Sequence, residues 1–371
     1  MTSRLFDPVA IGEVELPNRI AVAPMCQYSA DDGSATDWHL QHLSQLAYSG
    51  AGLVVVEATA VERRGRITHG CLGLYSDDNE ASLKRALDAA RRVGGNTRFG
   101  IQLAHAGRKA SSQLPWKGAA ALTSADDPWQ TVSSAATPFG EGWHTPAALT
   151  TQEIDGLIAA FVQAAKRAVR IGFEVIEVHS AHGYLLHQFL SPLANSRSDQ
   201  YGGSLENRMR FPLAVIRAVR AAVPGNVAVG LRVSATDWVD GGWDLPQTIE
   251  YVNEAKKLGI AYVCVSSGGI RAGVSVPVAP EYQVDFAKAV KAATGVVTRA
   301  VGLITEPHQA ERIVASGRAD MVALARAFLD DPRWGWHAAD VLGAKAHFPS
   351  QYFMVRGEGW RKFRDQIAAN R

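Results

Sequence analysis

The sequence predicts an α/β protein with a single (β/α)8 TIM barrel. Three observations carry this prediction: eight short β-branched runs, longer helical patterns between them, and no linker-like break in composition. Runs such as LVVVEAT and FEVIEVHS are almost continuously apolar, as expected of parallel strands covered on both faces. A doubly wound open sheet is the alternative, because the barrel prediction depends on counting elements and no internal repeat supports it.

The predicted elements alternate along the whole chain. The eight strands are residues 20–25, 52–57, 99–103, 175–179, 227–233, 262–266, 296–301 and 321–325. The helices are residues 79–93, 151–171, 205–222, 246–258, 281–293 and 306–316. Several of them begin with capping residues and end at glycine, such as the helix that opens at Thr151 and stops before Gly172.

Two segments lie outside this alternation. The connection between the third and fourth strands, about residues 106–150, is rich in proline and tryptophan and has little periodicity. Long connections of this kind usually carry function, so we expect a lid over the active face. Residues 345–371 form a C-terminal tail. The chain, residues 1–371, is therefore expected to be one barrel domain with a lid and a tail.

Composition excludes several functional classes. Lys plus Arg number 38 and Asp plus Glu number 36, so the formal charge of +2 creates no strong field for nucleic acid or an anionic membrane. A small-molecule partner is expected. Cys26, Cys71 and Cys264 are far apart without a CxxC pair, which argues against an iron–sulfur cluster, a zinc site and disulfides. With no signal-peptide pattern and no long apolar run, we expect a cytoplasmic protein.

Polar residues follow the predicted strands at their carboxyl ends, where barrel enzymes place their chemistry. Gly302 after the seventh strand permits close backbone approach, the helix after Thr305 offers free amides, and Arg326 after the eighth strand supplies a fixed cation. Each residue alone is equally well explained as a turn glycine or a surface arginine. Together, at the position where barrels bind phosphate, they predict a phosphate site.

The motif HSAHGY follows the fourth strand and is the sharpest local signal. His179 and His182 have the spacing of two metal ligands, but no carboxylate or thiol completes a zinc set. Two histidines at a strand end are instead suited to donate hydrogen bonds to one carbonyl or phenolate oxygen. Tyr184 then becomes a candidate general acid, with an aromatic pocket wall as the alternative.

At this point the sequence resembles a known family. The run HSAHGYLLHQFLSPLANSRSDQYGGSLENRMRF, residues 179–211, is similar to the signature of the Old Yellow Enzyme family of flavin-dependent ene-reductases and NAD(P)H dehydrogenases. The segments LFDPVAIGEVELPNRIAVAPMCQYSA, IQLAHAGRKAS, AVGLIT and ADMVALARAFLDDPRW match it as well, so the resemblance spans nearly the whole chain. PMCQY, with Cys26 and Tyr28, resembles the thermophilic-like and xenobiotic reductase subgroup.

The resemblance implies noncovalent FMN at the barrel mouth. The implied cofactor-binding residues are Pro24, Met25, Cys26, Ala60, Gln102, Arg232, Ser267, Gly268, Gly302, Ala325 and Arg326. Of these, Arg326 belongs to the phosphate site and Gln102 would bind the pyrimidine edge. Arg232 would lie beside flavin N1, where a permanent cation stabilises the negative charge that reduction creates.

The resemblance also implies a reaction in two halves, with NADPH or NADH as hydride donor and an enone, a quinone or a nitro compound as acceptor. His179 and His182 would hold the carbonyl oxygen, and Tyr184 would protonate the α carbon. Tyr28 and Lys109 would line the substrate pocket, although Lys109 is equally interpretable as a surface charge. A homodimer or homotetramer is expected, in which Arg356 of the tail would reach a neighbouring pocket.

Two other functions remain open at this point. A barrel aldolase or isomerase acting on a phosphorylated metabolite would use the same phosphate site, with His179 or Tyr184 as the acid or base. A Schiff-base aldolase needs a buried lysine at a strand end, and only Lys109 comes close. The third possibility is a noncatalytic flavin-binding protein, which would bind the cofactor without turnover of NAD(P)H.

Overall fold

The computed structural model, which describes residues 3–355 and 358–369, contains a closed barrel of eight parallel strands. In chain order, the first to eighth strands are Ile20–Val22, Leu53–Ala60, Arg98–Ala104, Val175–Ser180, Ala228–Ser234, Tyr262–Ser266, Val297–Ala300 and Met321–Leu324. Each strand pairs with the next, and the eighth pairs with the first, where Val322 lies opposite Ile20. The predicted barrel is confirmed.

Alternation along each strand divides the apolar residues between two layers. In the second strand every residue is buried. Val54 and Val56 belong to the large cluster shared with the surrounding helices, whereas Leu53 and Val55 belong to a separate cluster inside the barrel. Because successive side chains of a strand point to opposite faces, a strand that is covered on both sides is apolar along most of its length.

The helices surround the barrel. The longer ones are Asp37–Ala47, Asp77–Val93, Thr151–Ile171, Leu205–Ala222, Leu245–Lys257, Val284–Thr294, Pro307–Ala315 and Trp334–Leu342. Helix Thr151–Ile171 has its predicted bounds and ends at Gly172 with φ of 104°. Its capping residue is Thr150 rather than Thr151: the Thr150 hydroxyl accepts from the amide of Glu153 at 3.2 Å. None of the described helices is long and apolar enough to cross a membrane.

Several element boundaries differ from the prediction for local reasons. The first strand ends at Val22 rather than at residue 25, and Pro24 lacks the amide needed to continue the ladder. The predicted helix 281–293 begins only at Val284, because Glu281 has a φ of 66°. The prediction also omitted helix Asp37–Ala47 and an N-terminal hairpin that pairs Val9–Ile11 with Val14–Leu16.

The connection 106–150 packs onto loops at the carboxyl ends of the strands. The indole of Trp129 donates to the carbonyl of Arg64, after the second strand, at 2.9 Å. The guanidinium of Arg108 donates to the carbonyl of Ile270, after the sixth strand, at 2.6 Å. These contacts place the segment beside the predicted active face.

The tail contacts its own barrel domain and continues as helix Glu358–Ala369. Tyr352 packs against Tyr48 and Trp336, and the Arg333 guanidinium carbon lies 4.4 Å from the Tyr352 ring centroid. Arg356, the predicted intersubunit residue, lies outside the described residues.

Candidate active site

A cavity of about 200 Å³ opens at the carboxyl ends of the seventh and eighth strands. Gly302, Ala325 and Arg326, the three residues predicted to bind phosphate, line it together with Arg232 of the fifth strand. Gly302 has a φ of 118°, and a Cβ there would lie 3.0 to 3.2 Å from atoms of Gln283. A side chain here would be strained by the backbone conformation and would crowd Gln283, which favours glycine.

The cavity contains positive charge without a matching carboxylate. Within the described part of the chain, Arg232 Nε is buried without a hydrogen-bond partner. Among the described residues, no carboxylate oxygen lies within 4.0 Å of the guanidinium nitrogens of Arg232 or Arg326. A buried donor such as Arg232 Nε is costly to leave unpaired, whereas the Arg326 side chain is exposed and open to an anionic group. The cavity thus fits a ligand that brings a phosphate and a second electronegative group.

The sixth strand contributes Ser266 to this cavity, and Gln283, just before a helix, also lines it. The amide oxygen of Gln283 accepts from Ser266 at 3.1 Å and from Ser267 at 2.7 Å. Ser267 and Gly268, which were predicted to bind the cofactor, lie next to the cavity; the Gly268 amide donates to Thr236 at 2.7 Å. Nothing in the sequence indicated Gln283, because it lies far along the chain from the strand end that it completes.

His179 and His182 meet at the end of the fourth strand. His179 Nε2 lies 3.4 Å from His182 Nδ1, and the rings are edge to face with centroids 5.2 Å apart. His179 Nδ1 accepts from the amide of Ala181 at 3.2 Å, and His182 Nε2 lies 2.8 Å from Ser266 Oγ. The two facing nitrogens are hydrogen-bonded only to each other, at a separation that also lets both reach one ligand oxygen.

Burial keeps both histidines neutral and Tyr184 protonated. The pKa values of His179 and His182 are held well below the usual range, first by burial and then by the Arg232 cation. The pKa of Tyr184 is raised well above its usual value, mainly by burial. At neutral pH the cluster therefore presents N–H and O–H donors without histidine charge.

Tyr184 lies between the histidine pair and a second, smaller cavity. Its ring packs edge-on against His179 with centroids 5.0 Å apart. Tyr184 lines this cavity with Ala60, a residue predicted to face the flavin, and with Cys71. The geometry thus brings the predicted proton donor to the same face as the predicted flavin-binding residues.

Lys109 is not a surface charge, so that interpretation is wrong. Its Nζ donates to the carbonyls of His182 at 2.8 Å and Gly269 at 3.2 Å. It also lies 5.0 Å from the Tyr184 ring centroid. Burial and the nearby Arg108 cation lower the pKa of Lys109 to about 8. Lys109 therefore joins the loops after the fourth and sixth strands at the histidine pair.

The loop after the first strand carries Pro24, Met25, Cys26 and Tyr28 without regular structure. Burial raises the pKa of both the Cys26 thiol and the Tyr28 hydroxyl. Glu57, a buried carboxylate in the apolar second strand, accepts from the amide of Gln27 at 3.1 Å. Sequence reasoning missed this anchor, although an acidic residue within LVVVEATA was a usable signal.

Gln102 points into the barrel, where its amide Nε2 donates to Glu177 at 2.8 Å. The same carboxylate accepts from the hydroxyl of Tyr262 at 2.9 Å and forms a fully buried ion pair with Arg299. The sequence analysis placed Gln102 in the site but did not identify these partners, which fix the orientation of its amide.

The chain is similar to characterised flavin enzymes along most of its length. Residues 4–342 match the model of the NADH:flavin oxidoreductase / NADH oxidase family. The NADPH dehydrogenase of Listeria innocua is 42% identical, over 94% of this chain and 98% of its own. The NADPH dehydrogenase of Geobacillus thermodenitrificans is 40% identical, over 97% of this chain and 100% of its own. The structure of morphinone reductase is similar with a TM-score of 0.75 and 29% identity, over 94% of this chain and 92% of its own. A mutant of morphinone reductase was solved in complex with tetrahydroNAD.

The residues present fit the cofactor that this family uses. The cavity holds two arginines without carboxylate partners among the described residues, and the Nε of Arg232 is buried and unpaired. These donors suit a flavin phosphate and an electron-rich part of the ring. An aldolase or isomerase and a noncatalytic flavin store were the alternatives, and the relatives are oxidoreductases. The chain belongs to the NADH:flavin oxidoreductase / NADH oxidase family, the Old Yellow Enzyme family, and is an FMN-dependent NAD(P)H oxidoreductase.

Proposed function

We propose that this enzyme reduces the activated C=C bond of α,β-unsaturated carbonyl compounds, with quinones and nitro compounds as further acceptors. The observation that carries the proposal is the separation of 3.4 Å between His179 Nε2 and His182 Nδ1. Two donors at this separation both reach a single oxygen at an ordinary hydrogen-bond distance of about 2.9 Å. The relatives named NADPH dehydrogenase and morphinone reductase support the same substrate class.

The histidine pair would bind the carbonyl oxygen and stabilise the negative charge that it gains as the alkene accepts hydride. Because burial keeps the rings neutral, they act as hydrogen-bond donors and not as proton sources. Donors fixed in a buried site need no reorganisation when charge develops, so they lower the barrier more than water would. Lys109 supports them through the carbonyl of His182.

Tyr184 would protonate the α carbon. Its raised pKa keeps the hydroxyl protonated over the working pH range. The edge-on contact with His179 fixes the ring beside the substrate oxygen, so one pocket holds both the carbonyl clamp and the acid. Tyr28, in the loop after the first strand, would form another wall of the substrate pocket.

The cavity residues would hold FMN. Gly302, Ala325 and Arg326 would bind its phosphate, Ser267 and Gly268 would lie nearby, and Arg232 would face the electron-rich part of the ring. Pro24, Met25, Cys26, Ala60 and Gln102 would surround the isoalloxazine. Bound FMN supplies the redox chemistry, since it accepts a hydride from NADPH or NADH and passes it to the β carbon of the substrate.

Product analysis tests this proposal. The holoenzyme is supplied with NADPH and cyclohex-2-enone without oxygen, and the product is identified by gas chromatography. We expect cyclohexanone in a one-to-one ratio with NADPH consumed. Formation of the allylic alcohol, or NADPH oxidation that requires oxygen and ignores the enone, would contradict the proposal.

A further inference from the structure

The hydrogen bonds around His182 determine which nitrogen of each histidine ring carries the proton, and this arrangement differs from the one that a substrate clamp requires. His179 Nδ1 accepts from an amide, so the proton of this neutral ring is on Nε2 and points at His182 Nδ1. His182 Nδ1 then accepts, and its own proton is on Nε2, directed at Ser266 Oγ. Ser266 in turn donates to the amide oxygen of Gln283 at 3.1 Å.

A substrate oxygen between the two histidines requires a different arrangement of these protons. It must accept one hydrogen bond from His179 Nε2 and another from His182 Nδ1, because these two nitrogens face each other. His182 stays neutral, so a proton on Nδ1 leaves Nε2 bare. His182 therefore loses the proton on Nε2 to solvent and takes up another on Nδ1, so the ring remains neutral. Nε2 then needs a donor, and Ser266 Oγ lies 2.8 Å away.

We propose that Ser266 is a positioning residue that sets the tautomer of His182. The inference rests on the proposed histidine clamp. In the arrangement seen here the Ser266 hydroxyl accepts from His182 Nε2, and with substrate oxygen in the clamp it would rotate to donate to that nitrogen. A hydroxyl serves both states because it is donor and acceptor at once.

The surroundings of Ser266 support this switch. The side chain is 4% exposed, so solvent is a poor substitute for its hydroxyl. When Ser266 turns toward His182, Gln283 keeps a donor, because Ser267 donates to the same amide oxygen at 2.7 Å. The rotation therefore leaves no buried group unpaired. The backbone of His182 stays fixed by Ser234 Oγ and Lys109 Nζ during the exchange.

The test combines histidine nitrogen NMR with phenol binding. The holoenzyme is labelled with ¹⁵N-histidine, and His182→Gln identifies the His182 signals. We expect Nε2–H in the free enzyme and Nδ1–H with p-hydroxybenzaldehyde bound. Ser266→Ala should weaken phenol binding about tenfold, the effect of one lost buried hydrogen bond, and Ser266→Thr should restore both the affinity and the Nδ1–H signal. Ser180→Ala removes a buried hydroxyl that bonds Tyr251 and serves as the control.

The outcomes separate this inference from the proposed function. An Nε2–H signal in the wild-type phenol complex, or phenol affinity unchanged in Ser266→Ala, would overturn the role of Ser266. Phenol affinity unchanged in His179→Ala would overturn the clamp itself, and with it the proposed function.

Discussion

Replacing Tyr184 with phenylalanine removes one hydroxyl and leaves the ring in place. The ring packs against His179 with centroids 5.0 Å apart, and Lys109 Nζ lies 5.0 Å from its centroid, so both contacts persist. Loss of a positioned general acid slows the step that it serves by about 10²–10⁴-fold, or about 3–5 kcal/mol of activation free energy. We expect this loss in enone reduction. Quinone reduction should change little, because no carbon is protonated.

Anaerobic stopped-flow absorbance measures both reactions on the same enzyme. The Tyr184→Phe variant is reduced with NADPH and then mixed with cyclohex-2-enone or with a benzoquinone, while the flavin band is followed. The rate of reduction by NADPH is the internal control and should equal that of the wild type. Equal slowing with the two acceptors would refute proton donation by Tyr184 and leave its ring as a pocket wall.

Three further predictions address the histidine clamp, the contacts of Lys109 with two loops, and the cofactor site. His179→Ala should weaken phenol binding by about tenfold while NADPH still reduces the flavin; a charge-transfer titration with unchanged affinity would contradict the clamp. Between pH 8 and pH 10, the free energy of unfolding of the wild type should rise by about 2 kcal/mol relative to that of Lys109→Met. The reason is that the pKa of Lys109 is about 8 in the folded protein and 10.5 in the unfolded chain, so the unfolded chain holds more protons over this range. Urea unfolding at both pH values checks the sign. Arg326→Met should raise the FMN dissociation constant by about 10–100-fold, and flavin fluorescence showing no change would remove Arg326 from the phosphate site.

The barrel was predictable because each strand is buried on both faces. This burial makes segments such as Leu53–Ala60 largely apolar and therefore visible in the sequence. Helix Asp37–Ala47 was missed because its sequence, DWHLQHLSQLA, mixes apolar residues with two histidines and two glutamines. The late start of helix Val284–Thr294 depends on the left-handed conformation of Glu281, which propensity does not encode.

The site was predictable to the extent that it lies at strand ends. His179, Gly302 and Arg326 follow directly from the rule that barrels place chemistry at those ends. Their partners did not follow, because they come from elsewhere in the chain: Gln283 completes the end of the sixth strand. The role of Lys109 was also hidden, since its Nζ bonds two backbone carbonyls that only the folded loops bring together.

An anaerobic spectral titration tests the flavin site and both halves of the reaction together. The purified protein should show flavin absorbance bands, lose them on stepwise addition of NADPH, and recover them on addition of cyclohex-2-enone. A protein that is colourless and cannot be reconstituted with FMN would contradict the cofactor site. Bands that bleach with NADPH but do not return with the enone would contradict the proposed ene-reduction.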